Sequence, residues 1–152
     1  MHLTLALALM AGIPGDANLN LSKFDSYRDG YYSAQKTKQP LLLIINPGSG
    51  SEEKPIALED IAKTQARREL LKNYVVVMVD ASTEQGKVVH RQFDNLPLPR
   101  VVVIDRDQEW QIYRTSEQMY GELWTRVLET FKEGDADARL EDSSVCTTCN
   151  QQ

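Results

Sequence analysis

Residues 39–53 read Gln-Pro-Leu-Leu-Leu-Ile-Ile-Asn-Pro-Gly-Ser-Gly-Ser-Glu-Glu, and this stretch decides the fold. Leu41 to Ile45 is an unbroken apolar run. Such a run cannot alternate a wet face with a dry one, so it predicts a strand covered on both sides. Pro40 pushes the residue before it out of the helical region, so any helix upstream ends there. Asn46 to Ser51 follows as a Gly/Ser/Pro loop.

Working outward, two more stretches share that character. Tyr74 to Val79, closed by Asp80, and Val101 to Ile104 both read as buried strands. Arg106-Asp107-Gln108 is a turn, and Trp110 to Tyr113 a fourth, shorter strand. Helical spacing falls between them. Phe24, Tyr27, Tyr31 and Ala34 predict a helix over 23–37, with Ser22 as its cap. Leu58, Ile61, Ala62 and Ala66 predict one helix over 55–72, and a shorter one is expected over 84–93 despite Gly86. Tyr120, Leu123, Trp124, Val127, Leu128 and Phe131 form the cleanest stripe in the chain, stopped by Gly134. Alternating strands and helices imply parallel pairing with both sheet faces covered. The short turn before the fourth strand implies an antiparallel hairpin.

The order of these elements resembles that of the thioredoxin-like superfamily over residues 23–133. Gln39 to Leu43 resembles the lead-in to its first core strand, Tyr74 to Asp80 its second, and Leu98 to Asp105 its cis-proline followed by the third. The resemblance implies a three-layer α/β/α sandwich around a mixed sheet of about four strands, with Pro99 as the cis-proline. It also places the family's two cysteines near Gly50 and Glu53, where this chain has none. Dithiol exchange needs a thiolate at a helix N-terminus, where backbone N–H groups lower its pKa. Here Ser51 is expected to cap the helix, with Glu52 and Glu53 supplying the negative charge. The buried acid that many members keep in the first core strand is replaced by Ile44 or a close neighbour. Gly50, Ser51, Glu52, Glu53, Leu98 and Pro99 are therefore the expected binding surface for a protein or peptide partner, without disulfide exchange.

The only cysteines, Cys146 and Cys149, form a Cys-x-x-C near the other end of the chain. No Lys, Arg or His lies close by in sequence to activate them. They are the candidate catalytic pair of the alternative reading, a thiol-disulfide oxidoreductase. Two thiols are half of a tetrahedral metal site, so no metal is expected from them.

The ends and the charge complete the reading. Leu3 to Ile13 is an apolar stretch of the length of a signal-peptide h-region, followed by small residues around Asp16. An export signal is expected over 1–17, a domain over 18–134 and an acidic tail over 135–152. Export would place the thiols where disulfides persist. The 152-residue chain carries a net charge of −5. Removing the charge of Asp16 and the three net charges of the tail leaves about −1 for the domain. Lys and Arg are scattered, which gives no nucleic-acid footprint. No apolar run reaches the roughly 18 residues of a membrane span. No cofactor motif is evident.

Ile44 to Gly50 also resembles the Asn-Pro-x-Ser-Gly phosphate loop of diacylglycerol and sphingosine kinases, although the Gly-Gly-Asp-Gly motif of those kinases is absent. A phosphate there would need a helix N-terminus behind the loop and would face Glu52 and Glu53. His90 is expected at the surface. Tyr27, Tyr31, Tyr32, Tyr120 and Trp124 are expected in the core or at an interface. Asp105, Asp107 and Glu109 are expected around a solvated turn.

Overall fold

A computed structural model describes residues 21–140. The strands are β1 (Lys23–Phe24), β2 (Leu41–Asn46), β3 (Val75–Asp80), β4 (Arg100–Ile104) and β5 (Gln111–Thr115). The helices are α1 (Tyr27–Thr37), α2 (Leu58–Ile61), α3 (Gln65–Leu71), α4 (Glu84–Gln92) and α5 (Gly121–Phe131). One mixed sheet has the order β1-β3-β2-β4-β5. β1, β3 and β2 run parallel, while β4 pairs antiparallel with β2 and β5 with β4. The sheet thus has five strands rather than about four. The fifth, β1, is a two-residue edge strand too short to show a period of its own.

The apolar runs behave as their sequence requires. In β2, Leu42 and Ile44 join one core with Val76, Val101 and Val103, closed by α2, α3 and α5 through Ile61, Leu71, Trp124 and Phe131. Leu41, Leu43 and Ile45 face the opposite core, closed by α1 and α4 through Ala34, Val89 and Phe93. Two dry faces explain why no polar residue interrupts Leu41 to Ile45. Tyr74 anchors the first core: its hydroxyl donates to the Leu128 carbonyl oxygen at 2.8 Å. Burial first, then the charge of Glu129, pushes its pKa far above the usual tyrosine value.

Two helices depart from expectation. The helix expected from Lys23 starts only at Tyr27, because Ser26, not Ser22, caps it by accepting from the Asp29 N–H at 3.4 Å. Lys23 and Phe24 are instead drawn out to pair with Val76 and Val77. The single helix expected over 55–72 is two. Thr64 is extended and accepts from the Arg67 N–H at 3.3 Å, starting α3 afresh. Arg67, buried at 5% exposure, spans the break by donating to the Asp60 carbonyl at 3.2 Å. Gly86, read as a weak point of α4, is buried because that helix lies against the Asp80 carbonyl, where a Cβ would collide with backbone.

The turn after β4 is not solvated throughout. Asp105 is 2% exposed, and one carboxylate oxygen accepts from the Glu109 N–H at 2.7 Å and the Trp110 N–H at 2.8 Å. Asp107 and Glu109 are exposed, as a turn predicts. Past α5, Gly134 takes a positive φ of 65° and its carbonyl accepts from the Arg106 N–H at 2.9 Å. Residues 135–140, expected as the start of a tail, lie against the domain: Ala138 and Leu140 pack on the first core, and Asp135 pairs with Arg106 at 3.0 Å. The expected leader over 1–17 and the Cys146/Cys149 pair fall outside the described residues.

Candidate functional site

Parallel strands gather their carboxyl ends at one edge of the sheet, which in open α/β folds is where ligands bind. That edge is built here from three separate pieces of chain. The first is the loop after β2. Asn46, the last residue of β2, clamps Ile56 from both sides: its Oδ1 accepts from the Ile56 N–H and its Nδ2 donates to the Ile56 carbonyl, each at 2.8 Å. This pins residues 47–55 into a fixed excursion. Within it, Ser51 N–H donates to the Gly48 carbonyl at 3.1 Å, Gly50 takes a positive φ of 98°, and Ser51 Oγ accepts from the Glu53 N–H at 3.2 Å.

The second piece is the turn into β4. The Leu98–Pro99 peptide bond is cis. Upstream of it, the Nε2 of His90 lies 2.8 Å from the Leu96 carbonyl oxygen. His90 thus ties the loop to α4 rather than simply facing solvent. The third piece runs from Ser116 to Met119, between β5 and α5.

These pieces enclose a cleft of about 270 Å³, lined by Glu53, Leu98, Pro99, Ser116, Met119 and Trp124 among others. Trp124 and Ile56 give it an apolar floor; Glu53 and Glu117 stand exposed at its rim. An adjoining cleft of about 420 Å³ is lined by Asn46 to Ser51, by Glu53 and Pro55, and by Met78 to Asp80. Of the residues expected to form the binding surface, Glu53, Leu98 and Pro99 meet in the first cleft. Gly50, Ser51 and Glu53 lie in the second. Glu52 is exposed and lines neither.

The sequence reading of the loop needs two corrections. Ser51 caps no helix: α2 begins at Leu58 after Ala57, which makes no side-chain cap bond. Glu52 and Glu53 therefore sit on an irregular segment, not on a helix N-terminus. The same displacement removes the physical basis of the phosphate-loop reading, since no helix follows Gly50 directly, and Glu53 and Asp80 line the space. Sequence reasoning named Asn46 only within the phosphate-loop reading and Asp80 only as a strand end, and missed what each one holds. Asp80 Oδ1 accepts from the Ser82 hydroxyl at 2.6 Å and the Ser82 N–H at 2.8 Å. The hydroxyl bond first, then the backbone bond, holds its carboxyl below the usual range. The signal was there: each is the polar residue that ends an apolar strand.

Among the described residues, no group of three or more His, Cys, Asp or Glu is placed to hold a metal ion, and no helix is long and apolar enough to cross a membrane. The aromatic residues divide. Tyr27 and Tyr31 are half-buried, with Tyr27 edge-on to Phe93 at 5.5 Å. Trp124 is buried, while Tyr32 and Tyr120 are exposed.

The architecture and the cis-proline cleft define a thioredoxin-like fold in which Glu53, of the loop after β2, lines the cleft beside Pro99. The chain is similar to a thioredoxin from Thermus thermophilus, with 17% identity, a TM-score of 0.60, and coverage of 75% of this chain and 90% of that one. It is also similar to chloroplastic thioredoxin z, with 15% identity, a TM-score of 0.53, and coverage of 75% and 96%. At such identities the likeness is one of fold. No family model and no curated protein matches the sequence.

Proposed function

We propose that this chain is a protein- or peptide-binding module that uses the thioredoxin peptide surface without exchanging disulfides. One observation carries the reading. The cleft beside Pro99 is formed and floored with apolar side chains, yet the loop after β2 carries Gly50 and Glu53 where the resemblance places a dithiol, and Glu53 lines that cleft. A binding module needs the floor and not the thiols.

An insulin-reduction assay tests this. The full chain is expected to show no turnover above the dithiothreitol background, with or without Cys146→Ser and Cys149→Ser. Turnover that vanishes on Cys146→Ser would establish the alternative, an oxidoreductase working through the Cys146/Cys149 pair. Turnover that survives both substitutions would overturn both readings.

We also propose that the module is exported, on the strength of the apolar run at 3–13. Intact-mass measurement of the protein recovered outside the cytoplasm is expected to show the loss of residues 1–17. A full-length mass there, or retention in the cytoplasm, would count against it.

A further inference from the structure

The cleft beside Pro99 has an apolar floor and no thiol, while the chain's only thiols, Cys146 and Cys149, stand in the segment after Leu140. The course of the chain past α5 connects the two. Residues 135–140 do not leave the domain at Gly134 but fold back on it. Ala138 N–H donates to the Asp135 carbonyl at 3.0 Å, and Arg139 Nη1 donates to the Ala136 and Ala138 carbonyls at 2.9 and 2.7 Å. Ala138 and Leu140 then pack on the first core. Ile56, Met119 and Trp124, which line the cleft, belong to that same core. The chain therefore continues past Leu140 on the side of the sheet where the cleft has its floor.

The length of the segment fits the distance to be covered. Gly134 and Asp135 are held by Arg106, just past the end of β4. That is the foot of the sheet, since β4 runs antiparallel to β2 and begins at the Pro99 end. The turn at 135–139 keeps Leu140 near the foot. From foot to cleft is the length of a strand such as β2, six residues or about 20 Å. Cys146 lies six residues past Leu140 and Cys149 nine, which are extended reaches of about 20 and 30 Å. An extended segment thus brings the pair to the level of the cleft. A tether whose length matches its span gives the highest effective concentration at the far site. The side chains of residues 143–152 carry no charge, so the segment enters the cleft without burying an ionised group beside Trp124. Val145, Thr147 and Thr148 are β-branched, which suits an extended backbone.

We infer that residues 143–152 of this chain occupy its own cleft, with Cys146 and Cys149 beside Pro99. This rests on the binding-module reading above and names what fills the site when no partner does. A partner peptide must displace the segment, so the module masks itself.

Disulfide trapping in the full chain tests this. Cys149→Ser leaves Cys146 as the one native thiol. A second cysteine is placed in the loop wall of the cleft by Glu53→Cys, in the wall before α5 by Gln118→Cys, or outside the cleft by Lys63→Cys; all three positions are exposed. Each variant is equilibrated with reduced and oxidised glutathione. The two thiols give two electrons to glutathione disulfide, which leaves as two molecules of glutathione. Alkylation of the remaining thiols and intact mass then read the bonded fraction, and with it the effective concentration of Cys146 at each position. A segment that is tethered but not docked gives values of roughly millimolar order at all three. Docking is expected to raise the larger of the values at 53 and 118 at least ~10-fold above the value at 63. If neither position reaches that margin, the inference is overturned. A disulfide that forms only between two chains would overturn it as well. In both cases the binding module stands, with an open cleft; that reading fails separately, on the insulin assay.

Discussion

Asp105→Ala is expected to cost about 3 kcal/mol of stability, since hydrogen bonds to charged groups contribute about 1.5–3 kcal/mol each and two are lost at once. The residue is 2% exposed, and one oxygen holds both the Glu109 and Trp110 N–H groups. Its own N–H donates to the Trp110 carbonyl at 3.0 Å, so the side chain and backbone together close the β4–β5 connection. Alanine leaves two N–H donors without their acceptor at the foot of the sheet. Both donors use the same oxygen, so Asp105→Asn can keep both bonds through its amide oxygen and lose only the charge. It should cost roughly 1 kcal/mol, the scale of the difference between charged and neutral bonds. Urea unfolding measures both: the midpoint falls while the slope is unchanged, because the surface exposed on unfolding is the same. If Asp105→Ala unfolds at the wild-type midpoint, the turn is held by something other than this carboxylate.

Asp105 also shows where sequence reading stops. Asp105, Asp107 and Glu109 look alike in the chain, spaced around one turn. Only burial separates the first from the others, and Gln108, itself buried, lies over Asp105 and donates to its carbonyl at 2.8 Å. The core strands were legible because Leu41 to Ile45 and Val101 to Ile104 are dry on both faces, which needs no knowledge of partners. β1 was not legible, because two residues carry no period. The break between α2 and α3 was hidden because Ile61 and Leu71, ten positions apart, are both buried on the same core and keep helical spacing across the gap. Thr64 was the overlooked signal, a good N-cap in the middle of an apparent helix.

The site was legible to a different depth. Glu53 and Pro99 lie far apart in sequence, and only the resemblance to thioredoxins placed them together. The loop's lack of a helix behind it was invisible, since Ser51-Glu52-Glu53 reads as a good helix start.

Arg100 breaks a rule that most of the chain obeys, and its replacement is expected to act in the opposite direction to that of Asp105. It follows Pro99 directly, is 2% exposed, and no described group accepts from its Nε or Nη2. Its one described bond is from Nη1 to Ser116 Oγ, long at 3.4 Å. Burial first, then the charge of Arg114, lowers its pKa from the ordinary guanidinium value, and Asp94 only partly offsets this. A buried cation with unmet donors is less stable than an apolar side chain of similar reach, so Arg100→Met is expected to stabilise the domain by about 1–3 kcal/mol. Arg100→Ala should instead destabilise it, because it leaves the space empty. This split in sign separates a charge effect from a packing effect; a methionine variant less stable than wild type would mean that the guanidinium is satisfied. Positions that cost stability tend to lie where a protein acts, and Ser116, which takes the one bond from Arg100, lines the cleft beside Pro99.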